Sequence, residues 1–240
     1  MANKVDICFS PALYPYYSEN EENIVVVVDV FRATTTICAA FAAQAAAVRP
    51  VKSLQQAQEA KRQGGIVGAE RDADKCDFAD FGNSPFDYMS EKLRGKTLIF
   101  TSTNGTRAIE TAQNAEKIII GAFVNLQTVA DFCIESNRNV LVLCSGWKNR
   151  FCIEDALFGG ALAEILMKNN FTANADSVTV AQNLWQQAKD NIFDFIKNTE
   201  HVVRLQQRFL NQDIEFCLQT NTINLLPVFD KNLNLIVLQK

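Results

Sequence analysis

Five consecutive β-branched residues, Ile24–Val28, constrain the fold more than any other feature of this 240-residue chain. A run with no polar alternation is what a strand buried on both faces requires. Residues 66–69, 97–101, 117–121 and 139–144 are further short strand-like stretches. Between and after them, residues 34–47, 54–63, a stretch from Thr106, 126–135 and 153–167 read as helices. Strands and helices alternating at these lengths predict an α/β fold, with a mostly parallel sheet covered by helices on both faces. Residues 172–210 read as largely helical, with Leu184, Ala188, Ile192, Phe195 and Ile196 at helical spacing. Strand character returns over 225–229 and 233–238. No repeat or linker interrupts the chain, so one unit is expected over 1–240, its core at about 24–168 and the helical segment and last strands at about 172–240.

Composition narrows the function classes. A net charge of −4 provides no basic field for nucleic acid, so an anion site must be built from a few placed arginines and backbone amides. No apolar run approaches the ~18 residues that span a bilayer. The first 23 residues carry Lys4, Asp6, Glu19, Glu21 and Glu22 without an apolar core, so no signal peptide is expected. Seven cysteines, odd in number and with no C-x-x-C pair, argue for reduced thiols in a cytoplasm and against a disulfide framework or zinc ribbon. A single histidine, His201, argues against histidine-rich metal sites. Monomer and homodimer are both open.

In parallel α/β sheets ligands sit outside the carboxyl ends of the strands, and unusual polar residues gather there. After Ile24–Val28 come Asp29, Arg32 and three threonines, Thr34 to Thr36. One threonine would suffice to cap a helix, and Arg32 has no capping role. The next strand ends in Glu70-Arg71, followed by a loop through Asn83-Ser84-Pro85, a turn and helix-entry signature. Glu70 and Arg71 could equally be a surface pair worth about 0–1 kcal/mol. Residues 97–101 run into Ser102-Thr103-Asn104-Gly105-Thr106-Arg107. Asn-Gly alone is a turn, but hydroxyls around it and a helix N-terminus make a phosphate cradle. It lacks the G-x-x-x-x-G-K-[ST] of a P-loop. Glu154-Asp155 opens a later helix, where acids favour the macrodipole by about 0.3–1 kcal/mol. Together the strand ends carry three acidic spots (Asp29, Glu70, Glu154/Asp155) and three arginines (Arg32, Arg71, Arg107). Carboxylate oxygens suit Mg²⁺ and arginine forks suit phosphate, carboxylate or sulfonate groups. That is the equipment for hydrolysing a polyanionic phosphate ester.

These segments, in this order, resemble the 2-phosphosulfolactate phosphatase family. The matching stretches are DVFRATTT (29–36), ER (70–71) with GNSP (82–85), STNGT (102–106), CSG (144–146), ED (154–155), and DIEFC (213–217) with LP (226–227). Residues 77–81, DFADF, depart from a more glycine-containing approach to GNSP. The resemblance implies a three-layer α/β/α fold with a mixed sheet. It also implies Mg²⁺ dependence and release of phosphate from 2-phospho-3-sulfolactate, giving the sulfolactate that serves coenzyme M synthesis. Carried onto the matching positions, Asp29, Glu70 and Asp155 are the expected metal ligands. With Arg32 they form the expected catalytic set. Arg32, Thr34, Asn83, Ser84, Thr103, Asn104, Gly105, Thr106 and Arg107 are expected around the phosphate, and Arg71 around it or the substrate's carboxylate or sulfonate. A lone helical histidine is usually structural; similar family members can carry one near His201, so a role as acid to the leaving group stays open beside the structural one. Trp147 and Trp185 read as core or pocket wall.

Rival readings exist. Cys144 and Arg150 satisfy C-x₅-R, the spacing of a cysteine phosphatase. Leu143 stands where such an enzyme usually has histidine, and the intervening loop is glycine-poor. An aspartate nucleophile of the D-x-D type is opposed by Phe31 in place of the second aspartate. A phospho-metabolite-binding protein without turnover is the non-enzymatic alternative, although separated acids gain an anion site nothing unless a metal is present.

Overall fold

The computed structural model describes residues 2–17 and 23–239; Glu19, Glu21 and Glu22 lie outside the described residues. The strands are β1 (Val5–Cys8), β2 (Ile24–Val28), β3 (Ala47–Pro50), β4 (Ile66–Arg71), β5 (Asp74–Lys75), β6 (Thr97–Thr101), β7 (Lys117–Gly121), β8 (Val140–Cys144), β9 (Pro227–Asp230) and β10 (Leu235–Leu238). The α-helices are α1 (Ala33–Ala42), α2 (Leu54–Arg62), α3 (Gly105–Thr111), α4 (Leu126–Ser136), α5 (Ile153–Lys168), α6 (Asp176–Ala188), α7 (Ile192–Ile196), α8 (Glu200–Gln206) and α9 (Asn211–Cys217).

All ten strands form one mixed sheet in the order β1-β8-β2-β7-β9-β10-β3-β6-β4-β5. β1, β8, β2 and β7 are mutually parallel, as are β3, β6 and β4. The antiparallel pair β9 and β10 joins the two blocks, so the last strands of the chain lie in the middle of the sheet. Asp230 closes that hairpin by accepting from the amides of Asn232 and Leu233.

The alternation along β2 shows why the sheet has two covered faces. Ile24, Val26 and Val28 pack with α4, α5 and α6, while Val25 and Val27 pack with α1 and α3. Both sets are buried, as a run of β-branched residues without polar interruption demands. The three-layer α/β/α arrangement with a mixed sheet is therefore observed.

The alanine-rich stretch departs from expectation. Residues 34–47 read as one helix, but α1 ends at Ala42. Gln44 turns the chain at φ +64°, and Ala47 begins β3. Alanine's helix propensity is under 1 kcal/mol per residue better than most alternatives. It yields to the pairing of β3 with β6 and β10.

Three successive antiparallel pairings reverse the sense of β3, β6 and β4 relative to β2 and β8. In a flat sheet this would send the two sets of carboxyl ends to opposite edges. They meet nonetheless, through contacts between the loops. Thr36 on α1 donates to the Asn83 carbonyl at 2.9 Å, and Lys148 N donates to Asn104 Oδ1 at 3.2 Å. Strand twist of about 20–25° per pairing rotates the second block toward the first.

Candidate active site

The loop after β2 turns directly into α1, and Thr34 fixes that turn. Its Oγ1 donates to the Asp29 carbonyl at 2.9 Å and accepts from the Asp29 amide at 3.0 Å. Asp29 is thereby held at the floor of a small cleft, 7% exposed. Burial pushes its carboxyl up to about 6; the nearby His201 pulls it down, and Glu70 pushes it up again.

Glu70, at the end of β4, lines the same cleft. Oε1 accepts from the Ala73 amide at 3.0 Å and Thr103 Oγ1 at 2.9 Å, and Oε2 from Asn83 Nδ2 at 3.1 Å. Thr103 and Asn104 follow β6 and form the adjoining wall with Ser102. Gly105 opens α3 beneath them, and a side chain there is excluded by proximity. A Cβ would lie 2.6 Å from Ala33 Cβ and 3.0 Å from Asp29 Oδ2. Thr106 ties the helix start to the strand by donating to the Ser102 carbonyl at 3.1 Å.

The remaining expected residues are placed differently. Arg32 lines the cleft, but its guanidinium donates to Asp213 Oδ2 at 2.5 Å and to the Ala73 carbonyl at 3.1 Å. Ser84 donates to the other oxygen of Asp213 at 2.8 Å. Arg71 turns back onto the Glu70 carbonyl at 2.5 Å and Thr101 Oγ1 at 3.0 Å. Arg107 is exposed on α3 and lines neither cavity of this region. Asp155 accepts from the Val30 amide at Oδ1 (2.9 Å) and from the Gly146 amide at Oδ2 (3.0 Å), joining the ends of β2 and β8. Its carboxyl is nevertheless pushed up by burial and by Glu154 and Asp29.

Glu154 and helix α8 supply what the strand ends do not. Glu154 Oε1 lies 2.6 Å from His201 Nδ1. His201 and Arg204, three residues apart on α8, both line the cleft. Burial lowers the Arg204 pKa, but an arginine remains a cation at neutral pH. Arg204 lies 4.5 Å from the Trp147 ring centroid, and its Nη1 is buried without a hydrogen-bond partner among the described residues. Trp147, His201 and Arg204 also line an adjoining cavity of about 460 Å³.

Among the described residues, seven buried side-chain oxygen or nitrogen atoms have no hydrogen-bond partner. Five of them, Asn83 Oδ1, Trp147 Nε1, Glu154 Oε2, Thr199 Oγ1 and Arg204 Nη1, belong to residues lining these two spaces. Buried polar atoms are nearly always satisfied within a fold, so their concentration here marks a place built for a polar ligand.

The cysteine nucleophile finds no support in this geometry. Cys144 ends β8 fully buried, and burial together with Asp155 raises its thiol far above the usual range, the opposite of an activated thiolate. Arg150 is exposed, pairs with Glu200 at 3.0 Å and stacks on Trp147.

The family model described as 2-phosphosulpholactate phosphatase matches residues 8–232. The chain belongs to that family. Relatives bearing the name "Probable 2-phosphosulfolactate phosphatase" include one from Thermotoga maritima, 34% identical over 223 residues, which cover 93% of this chain and 94% of the relative. One from Caldanaerobacter subterraneus subsp. tengcongensis is 34% identical over 211 residues, covering 86% and 88%. One from Gloeothece citriformis is 33% identical over 232 residues, covering 94% and 95%. The matched span includes every residue of the cleft, from Asp29 to Leu205. No helix of the described residues is long and apolar enough to cross a membrane.

Proposed function

We propose that this protein hydrolyses a small 2-phospho-carboxylate monoester, 2-phospho-3-sulfolactate, to sulfolactate and phosphate in a Mg²⁺-dependent reaction. The observation that carries this reading is one cleft in which Asp29 and Glu70 face Arg204 beside the Thr103-Asn104 turn. Carboxylates serve a phosphate site only with a cation between them, and the residues present fit Mg²⁺. Asp29 and Glu70 offer oxygen atoms alone, and the buried Asn83 Oδ1 beside them lacks a partner. When bound there, Mg²⁺ would offset phosphoryl charge and help to position water.

The chain's own groups do the rest. Arg204 and the Ser102–Asn104 wall hold phosphoryl oxygens, a cationic fork and hydroxyls being suited to them. A carboxylate of the cleft orients the attacking water. Glu154 fixes the Nδ1 side of His201, leaving the other ring nitrogen to deliver a proton to the departing alkoxide oxygen. The adjoining cavity, with Arg150 on its wall, gives room for the carboxylate and sulfonate ends. Asp155, Arg32 and Asp213 position this machinery rather than touch the ester.

The test is phosphate release from 2-phospho-3-sulfolactate and 2-phospholactate by the purified protein, with Mg²⁺, with EDTA, and in the Cys144→Ser variant. Release from the sulfonated ester that needs Mg²⁺ and survives in Cys144→Ser is expected. Release indifferent to EDTA and lost in Cys144→Ser would overturn the reading.

A further inference from the structure

One group of metal-ligating side chains lies outside the oxygen set assigned to Mg²⁺. Cys152 precedes α5, Glu154 lies in its first turn and His201 in the first turn of α8. Each offers one ligand atom, and the three atoms lie within 4.8 Å of one another. It is the one such group of three or more among the described residues. The Glu154 side chain is 2% exposed and that of His201 11%. Glu154 Oε2 is buried without a hydrogen-bond partner. All three residues line the cavity of about 460 Å³, so a fourth position would face open space.

The donor set is sulfur, nitrogen and oxygen. Mg²⁺ takes hard oxygen ligands, whereas thiolate and imidazole select Zn²⁺ and its neighbours. Three protein ligands with one open position is the pattern of an accessible zinc site rather than a closed structural one. Metal–ligand bonds of about 2.0–2.3 Å at tetrahedral angles put ligand atoms roughly 3.3–3.6 Å apart. Separations of up to 4.8 Å need to contract by about 1.5 Å at most, within the reach of side-chain rotation. We propose that Cys152, Glu154 and His201 form a binding site for a Zn²⁺-class divalent ion, separate from the Mg²⁺ ligands. Its occupation withdraws His201 from the phosphate cleft, and Glu154 from His201, and so inhibits turnover.

The protons balance. Burial and the carboxylates of Glu154, Asp155 and Asp29 hold the Cys152 thiol up, so it enters the site protonated. The incoming dication expels that proton to solvent and replaces the hydrogen bond between His201 and Glu154. It also offsets the carboxylates clustered around it.

Co²⁺ is the probe, because its spectrum reports both geometry and sulfur ligation. The full-length protein, stripped with chelator, is titrated with Co²⁺ in excess Mg²⁺. The site predicts intense visible d–d bands of tetrahedral cobalt and a near-ultraviolet thiolate-to-cobalt charge-transfer band, both bleached by one equivalent of Zn²⁺. Cys152→Ala and the near-isosteric Cys152→Ser should each lose the charge-transfer band, and Zn²⁺ inhibition is read against each variant's own Mg²⁺-supported phosphate release. Zn²⁺ inhibition of that release should weaken by at least the roughly 10–100-fold that even outer-shell changes cost. A weak octahedral spectrum in the wild type would overturn the proposal. So would an unchanged charge-transfer band in a folded Cys152 variant, since another cysteine would then supply the sulfur. The spectral readout does not depend on turnover, so it stands or falls apart from the phosphatase reading.

Discussion

Arg32 donates to Asp213 at 2.5 Å across 181 residues of sequence, and both side chains are buried, 3% and 5% exposed. The pair clamps the start of α1 to α9, and Ser84 completes it from the loop below. An arginine that sequence places at a phosphate site is thus anchored to a carboxylate. Removing one partner of a buried ion pair leaves an uncompensated charge, which costs about 3–5 kcal/mol. Asp213→Ala should therefore lose stability of that size in urea unfolding. Replacing both partners, Arg32→Met with Asp213→Leu, should recover much of it. A double variant no better than Asp213→Ala would show that Arg32 does more than fill this pair.

Arg204 and Arg107 make a contrasting pair of predictions. Arg204 lines the cleft with a buried Nη1 that has no hydrogen-bond partner among the described residues, while Arg107 is exposed on α3. Losing a donor aimed at developing charge typically costs about 10²–10³ in kcat. Arg204→Ala should fall in that range with little change in melting temperature, and Arg107→Ala should stay near wild type. Steady-state kinetics on the two variants distinguish these placements.

Asp29 should trade stability for function. Its folded pKa, about 6, exceeds the ordinary value of 3.8, so the folded state holds its proton more tightly than the unfolded one between those values. Stability must then fall as pH rises through that window, with the full cost present above it. Asp29→Asn removes the cost. In EDTA at pH 8 the variant should be more stable than wild type by on the order of 2–3 kcal/mol, and by nothing near pH 3. Thermal unfolding across pH 3–8 checks the sign. An equal effect at both ends would contradict the assigned cause.

Gly105→Ala tests the closeness of α3 to Asp29. The added methyl meets Ala33 Cβ at 2.6 Å and Asp29 Oδ2 at 3.0 Å. Overpacking of this kind costs about 1–3 kcal/mol, against a helix-propensity gain of up to about 1 kcal/mol. Net destabilisation and a loss of activity larger than the loss of folded protein are expected from parallel unfolding and kinetic measurements.

Much of this fold was legible in hydrophobic periodicity, because buried parallel strands such as β2 and β8 advertise themselves as unbroken apolar runs. The reversal of sense between the two parallel blocks was not, since which strands pair is decided by contacts between β10 and β3 that leave no local trace. At the site, Asp29, Glu70, Thr103 and Asn104 were readable because each sits at or just after the end of a strand. The choice between Glu154 and Asp155 was not. Adjacent helical residues point about 100° apart, and only packing sets which one meets His201. Nothing in the sequence sets Arg204 apart from an ordinary polar position on a helix except its spacing of three from the lone histidine, the available signal.

The most direct test is a calorimetric titration of Mg²⁺ into the wild type, Asp29→Asn and Glu70→Gln, with phosphate release from 2-phospho-3-sulfolactate followed on the same samples. The account predicts that the wild type binds Mg²⁺ and turns over, and that both properties fail together in each folded variant. Wild-type Mg²⁺ affinity and turnover retained in either variant would contradict the assignment of Asp29 and Glu70 as the centre of the site.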